Sequence, residues 1–516
     1  MSTPPQAHGR RWKPVRGGLT LVLTLAGALL APVPAAATAT ATATELPGPS
    51  AYETTVHGTS SEPGVVSGSG HGAGSTPGRR SAEATERAAA TTRESDVAVG
   101  PRLTDREKAT RAAEALVVPD ADDVRGNLTL PTSGAYDTRV TWKSTRKHVV
   151  TPTGEVTRPA PGRKPVAVTL TATVRSGKAT VKRRFHLTVP PLPEREPYAG
   201  YAFTYFTGEG LPDGEQVYFA ASRGNDPLRW DELAGGEPVL RSHEGELGVR
   251  DPFLIRSPEG DTFYLIATDL RMHGDGDWDR AQRHGSKHIE VWESHDLVHW
   301  SPQRHVRVAP DTAGNVWAPE AYYDHSIGAY VVFWASKLYA EDDPDHTGDT
   351  YNRMMYATTR DFRTFSEPRV WVDPGHSVID STVIEHDGYF YRFTKDERSN
   401  TADAPCGKFI VAERSRELRA LDYEFVAECI GKGDDENPGI SRGEGPTVFR
   451  SNTEDRWYAF IDEFGGRGYV PFETTDLDSG EWRMSTTYEL PGRPRHGTVL
   501  PVTQRELDRI RAAYGG

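Results

Sequence analysis

Five copies of one strand pattern fill the chain between residues 201 and 501, and no other feature restricts its fold as strongly. One half of each copy is a strand running towards a turn that usually carries an aromatic residue. It reads Val217–Ser222 with Trp230, Ile289–Ser294 with Trp300, Met355–Thr359 with Phe365, Phe409–Arg414, and Val470–Thr475 with Trp482. The other half is a strand pair: Asp251–Ile255 with Tyr264–Thr268, Ala318–Tyr322 with Tyr330–Trp334, Asp380–Ile384 with Tyr391–Thr394, and Gly445–Phe449 with Tyr458–Ile461. The fifth pair is split. His496–Pro501 lies at the C-terminus and its partner, Tyr201–Thr207, opens the segment. Four short strands in about 60 residues is the size of one propeller blade, and five fit. Pairing the two ends would leave no exposed sheet edge. The expected fold class is all-β, with a five-bladed β-propeller over residues 193–516.

The preceding residues divide by composition. Arg10, Arg11, Lys13 and Arg16 lead into the apolar run Leu19–Leu30 and the small residues Ala35–Ala37. This is the order of a secretory signal, expected over 1–37, and the run is too short to span a bilayer. Residues 38–100, rich in Ala, Thr, Gly, Ser and Pro, are expected to be a disordered linker. Thr104 is placed to cap a short helix ending at Leu116. Val166, Val168, Leu170, Ala172 and Val174 then alternate with polar residues, as do Phe185, Leu187 and Val189 after the Ser176-Gly177 turn. With Trp142 as a core residue, 101–192 reads as a short helix plus a small N-terminal β-sandwich, joined to the propeller by the stiff segment Pro190–Pro193.

Export allows disulfides, so Cys406 and Cys429, the two cysteines of the chain, are expected to pair. Neither has zinc-ligand neighbours. The formal charge of −13 opposes nucleic-acid binding and suits a neutral glycan partner. A secreted monomer, free of the membrane once the signal is cleaved, is the expected state.

Blades present the starts of their innermost strands to a central cavity. Those starts read Arg250-Asp251-Pro252, Trp317-Ala318-Pro319-Glu320, Ile379-Asp380-Ser381, Gly443-Glu444-Gly445-Pro446 and Arg495-His496-Gly497. Asp251, Asp380 and Glu444 would therefore converge from three blades. Like charges in one cavity raise one another's pKa, and glycosidic cleavage uses that state: one carboxyl stays protonated as acid while another stays ionised as base.

These motifs resemble glycoside hydrolase family 43, over about 320 residues and in the family's order. The resemblance implies that Asp251, in Val249-Arg250-Asp251-Pro252-Phe253, is the general base. Asp380 would orient the acid and tune its pKa, and Glu444 would be the general acid. His496 would lie at the base of the funnel, where it contacts a calcium ion through water in some members; no cofactor is otherwise required. The chain departs from the family at Glu320, where aspartate is usual, and at Ser381, where proline commonly follows the aspartate. Residues 101–192 resemble the atrophied bacterial Ig-like domains that accompany secreted glycosidases, through Asn127–Pro131, Thr141–Ser144 and Gly154–Pro159. The implied activity is inverting hydrolysis of α-L-arabinofuranosides or β-xylosides from plant cell-wall polysaccharide or its oligosaccharides.

Arg250, Phe253, Trp317, Trp334, Arg467 and His496 are the candidate sugar contacts. For the aromatics, blade packing is the competing reading. For Arg467 it is an ordinary surface arginine, and for His496 a structural hydrogen bond. Asp269, Asp275, Asp277 and Asp279 lack the glutamate that completes a calcium loop and read as a solvated insertion. Two rivals remain. An endo-arabinanase would need an open cleft, whereas the insertions at 269–288 and 337–352 look able to wall one side. A non-catalytic sugar-binding propeller would have lost a carboxylate, and all three are present. A sialidase fits less well, because Ser294–Trp300 lacks the glycine of its aspartate box.

Overall fold

The computed structural model describes residues 102–434 and 437–515. The expected signal (1–37) and linker (38–100) lie outside these residues. Helix α1 (Asp105–Ala115) starts from a capping box, in which the Thr104 side chain accepts the Glu107 N–H and the Glu107 carboxylate reaches back to Thr104. Strands β1 (Ser133–Gly134), β2 (Thr138–Ser144), β3 (Val166–Ser176) and β4 (Ala179–Val189) form one antiparallel sheet in the order β1-β2-β3-β4. Its inner face packs Val140, Trp142, Leu170, Val174 and Leu187 against Ala109, Ala112 and Ala113 of α1.

The expected β-sandwich is thus corrected. Among the described residues this module has a single sheet, covered by α1 and by irregular segments carrying Val118, Val124, Val149 and Val150. Alternate residues along β4 from Ala179 to Phe185 are partly buried or exposed, so the outer face needs no second layer.

The remaining strands form five four-stranded antiparallel sheets. The first contains β5 (Tyr198–Phe206), β6 (Tyr218–Arg223) and β7 (Asp226–Glu232). The second contains β8 (Val249–Arg256), β9 (Phe263–Asp269), β10 (His288–Ser294) and β11 (Arg304–Arg307), with helix α2 (Trp278–Arg283) between β9 and β10. The third contains β12 (Trp317–Asp324), β13 (Ala329–Lys337), β14 (Asn352–Thr359) and β15 (Arg369–Val372). The fourth contains β16 (Val378–His386), β17 (Tyr389–Asp396), β18 (Ile410–Ser415) and β19 (Glu424–Ile430). The fifth contains β20 (Glu444–Arg450), β21 (Trp457–Glu463), β22 (Gly468–Thr474) and β23 (Arg483–Met484). Strand β24 (Arg495–Thr503) completes the first sheet by pairing with β5, in the order β24-β5-β6-β7. Helix α3 (Gln504–Tyr514) then packs Leu507 and Ile510 beneath that sheet.

β9 and β21 are buried along their whole length, and β13 to all but its last residue. Both faces of these second strands are therefore covered, which is why they read as nearly continuous apolar runs rather than alternations. Strand β8 lies beside β24 and β12, β16 beside β12 and β20, and β20 beside β24. Cys406 and Cys429 form the expected disulfide, between the segment after β17 and the end of β19. The N-terminal module is clamped to the second sheet. Arg158 Nη1 lies 2.6 Å from Asp261 Oδ1, and Arg125 Nη1 lies 3.1 Å from Asp261 Oδ2. Among the described residues no helix is long and apolar enough to cross a membrane.

Candidate active site

Each of β8, β12, β16, β20 and β24 breaks register at the same place. The irregularities fall between Arg250 and Phe253, Trp317 and Glu320, Ile379 and Ser381, Glu444 and Thr447, and Arg495 and Thr498. At four of them the residue inside the irregularity has a left-handed backbone: Asp251 (φ 52°), Ala318 (50°), Asp380 (54°) and Gly445 (51°). Positive φ is uncommon away from glycine, and such bulges re-aim side chains beside functional sites. Glycine at 445 has a second cause, since a Cβ there would lie 2.4 Å from the His496 ring.

The result is a cavity of about 440 Å³, lined by Asp251, Asp380, Glu444, His496, Arg250 and Trp317 together with Trp278, Lys395, Phe464 and Arg495. Larger grooves of about 730 and 780 Å³ lie along the N-terminal module and beside residues 193–198. In the second of these the acids Asp261 and Glu506 are paired with arginines.

The three carboxylates have different surroundings. Thr268 Oγ1 donates to Asp251 Oδ2 at 2.8 Å, and His496 Nδ1 lies 3.4 Å from Asp251 Oδ1. Burial alone would raise Asp251; His496, Arg250 and the Thr268 hydroxyl outweigh it and hold the carboxyl below its ordinary range. Asp380 Oδ2 accepts the Gly445 N–H at 3.0 Å. Burial, reinforced by the charge of Glu444 and only partly offset by His496, pushes Asp380 up to about 7. Glu444 is gripped by two cations, Lys395 Nζ at 2.8 Å from Oε2 and Arg495 Nη2 at 2.8 Å from Oε1. Burial would raise it too, but these cations hold it below its ordinary range. In this geometry the proton of the pair favours Asp380, whose contact with the Gly445 N–H fixes the backbone beside Glu444.

His496 is ringed by Asp251, by Asp380 (Nδ1 to Oδ2, 3.9 Å) and by Glu320 (Nε2 to Oε1, 3.9 Å). Burial opposes its protonation, yet these carboxylates raise it well above the usual imidazole range. Both ring nitrogens of His496 face carboxylates, and the buried Glu320 Oε2 has no hydrogen-bond partner among the described residues. Among the described residues, Asp269, Glu290 and His305 bring ligand atoms within 4.8 Å of one another, away from the cavity. Glu290 there already accepts from His305 and Gln303, and Asp269 from the Glu246 N–H.

Several sequence candidates lie elsewhere. Trp334 is wholly buried in the core between the second and third sheets, its Nε1 donating to Ser336 Oγ. Phe253 packs in the same core, because the bulge at Asp251 turns the next side chains away from the cavity. Arg467 pairs with Glu463 at 2.5 Å and does not line the cavity. Arg250 and Trp317 do line it, but Arg250 is nearly buried and held by Glu215 at 2.8 Å. Asp269 is not in a solvated insertion but buried at the end of β9, whereas Asp275, Asp277 and Asp279 are exposed. Lys395, Trp278 and Phe464 were missed. Nothing local in Tyr391-Arg392-Phe393-Thr394-Lys395 sets Lys395 apart from Arg392.

The family model described as "Probable glycosyl hydrolase domain", related to glycoside hydrolase family 43, matches residues 196–508. The chain belongs to this family. The atrophied bacterial Ig domain matches residues 107–192. A curated relative, an alpha-L-arabinofuranosidase of Bifidobacterium longum subsp. longum, is 33% identical over 455 residues, covering 78% of this chain. The chain spans 41% of that relative's length. Among solved structures, a thermostable family-43 glycoside hydrolase is 16% identical, with a TM-score of 0.35, over 49% of this chain and 77% of that one. An alpha-L-arabinofuranosidase from Fusarium graminearum is 12% identical, with a TM-score of 0.34, over 64% of this chain and 79% of its own.

Proposed function

We propose that the protein is an exported, monomeric glycoside hydrolase whose catalytic domain, residues 193–516, is a closed five-bladed propeller. It removes terminal α-L-arabinofuranosyl or β-xylosyl residues from plant cell-wall glycans, with inversion. The observation that carries this reading is the convergence of Asp251, Asp380 and Glu444 on one cavity over the His496 imidazolium. Closure is supported by the mutual neighbours of β8, β12, β16, β20 and β24 and by the β24–β5 pairing. The arabinofuranoside is the substrate to try first, given the name of the Bifidobacterium relative. Leu270, Trp278 and Gln282 of the 269–288 insertion line one side of the cavity, which supports removal of end groups over endo-cleavage. Export rests on the N-terminal signal pattern and accords with the disulfide.

Asp251, ionised and oriented by Thr268 and His496, takes the proton of a water that attacks the anomeric carbon. Glu444 protonates the departing glycosidic oxygen from the opposite side. β24 lies between β8 and β20 on one side, and β12 and β16 on the other, so Asp251 and Glu444 come from innermost strands that are not neighbours, which supports a separation that admits that water. Held between its two cations, Glu444 is ionised. The proton that Glu444 delivers is the one held on Asp380, which passes to Glu444 as substrate binds and leaves with the glycosidic oxygen, while the proton of the attacking water goes to Asp251. Asp380 fixes the backbone beside Glu444 through the Gly445 N–H and holds the spare proton of the pair.

Glu444→Gln should lower kcat at least a thousandfold on natural glycosides and far less on aryl glycosides with very good leaving groups, which need little protonation. Equal losses on both would remove Glu444 from the acid role.

A further inference from the structure

We infer that Trp278 is a stacking platform for the second sugar ring of the substrate, the one next to the residue being cleaved off. This inference rests on the hydrolytic reading of the same cavity. Trp278 opens α2, inside the 269–288 insertion, and is 40% exposed. Among the described residues it is the one strongly exposed large apolar side chain that lines the cavity. Its helix cap and two neighbouring side chains, Arg250 and Trp317, hold it in position. The Asp277 side chain caps the helix by accepting the Arg280 N–H. The Arg250 guanidinium lies 5.2 Å from the indole centre and 4.6 Å from the Phe206 ring on its other side. Arg250 is itself pinned by Glu215. The Trp317 ring meets the indole edge-on, with centroids 6.1 Å apart at 85°.

An indole held this firmly while left open to water is pre-organised for a flat, partly apolar partner. The C–H face of a pyranose or furanose ring is such a partner. Depth decides which ring. Asp380 and His496 are buried and Asp251 is partly buried beside them, so the residue to be removed sits at this deeper end. The next ring points outward and meets the exposed indole. Arg250 directly precedes Asp251 in the chain, which fixes the platform relative to the expected base.

The test compares wild type, W278A and W278F on the methyl glycoside of the cleaved sugar and on the corresponding linear trisaccharide. W278A should raise KM for the trisaccharide about tenfold with kcat nearly unchanged, and leave kcat/KM for the methyl glycoside within about twofold. W278F should restore most of the trisaccharide affinity. Calorimetric titration of arabino- and xylotriose into E444Q and into E444Q/W278A gives a readout independent of turnover, with about tenfold weaker binding expected in the double variant. Equal losses on both substrates, no change on either, or no trisaccharide binding at all would overturn the platform. A wild type that cleaves neither substrate but binds trisaccharide through Trp278 would sink the hydrolytic reading and leave the platform standing.

Discussion

Lys395 Nζ stands 2.8 Å from Glu444 Oε2, a buried ammonium against the carboxyl that hydrolysis needs protonated. Lys395 also faces Glu397 at 2.6 Å, and the Phe464 ring at 4.4 Å. Lys395, together with Arg495, thus biases the proton of the Asp380–Glu444 pair towards Asp380.

That arrangement sets the pH profile. Activity requires Asp251 ionised and one proton on the Asp380–Glu444 pair. Asp251 is held low, so the acidic limb should lie below the ordinary aspartate range. The proton of the pair is lost as pH rises through about 7, so the rate should fall above that point. A kcat/KM profile still rising at pH 8 would contradict this.

Lys395→Met removes the positive charge from beside both carboxyls. Each then holds its proton more firmly, and the alkaline limb should move upward by about one pH unit. A purely structural lysine would lower activity without moving the limb, so pH profiles of the two proteins separate the cases.

The C-terminal helix is part of the fold. Ile510 is fully buried under the first sheet with Leu507, Val217 and Phe219. Ile510→Ala should cost about 2–4 kcal/mol, read as a lower midpoint in urea denaturation. An unchanged midpoint would show that α3 is dispensable.

Asp261 binds the N-terminal module through Arg125 and Arg158, and the Arg158 side chain is 2% exposed. Asp261→Ala leaves that buried guanidinium without a carboxylate, bonded to the Arg125, Pro190 and Pro191 carbonyls alone, and should weaken docking by about 3 kcal/mol. Limited proteolysis near residues 190–197 should accelerate, while kcat on small aryl glycosides stays unchanged because the cavity lies elsewhere. Loss of activity in a folded variant would tie the module to the chemistry.

The repeat was legible because each sheet carries its own strand periodicity and turn. Asp251, Asp380 and His496 were legible because they recur at one register, and Glu444 because it lies one residue earlier in its own copy. What the one-dimensional pattern cannot carry is direction. Trp334 and Phe253 share the repeat's aromatic signal, but β13 is buried on both faces, and the bulge at Asp251 sends Phe253 into the core. The grip of Lys395 and Arg495 on Glu444 joins three sheets and leaves no local trace. Trp278 was hidden in an insertion whose acidic residues dominated its reading. The single-sheet N-terminal module escaped notice because alternation in β3 and β4 is the same whether a helix or a second sheet covers the face.

Stereochemistry tests the central claim most directly. A water between Asp251 and the anomeric carbon, with Glu444 opposite, gives a first product of inverted configuration and no covalent glycosyl-enzyme. Proton NMR of the anomeric signals, recorded during the first minutes of hydrolysis of an α-L-arabinofuranoside, should show the β-anomer before mutarotation. Initial appearance of the α-anomer would contradict inversion and make Asp251 a nucleophile.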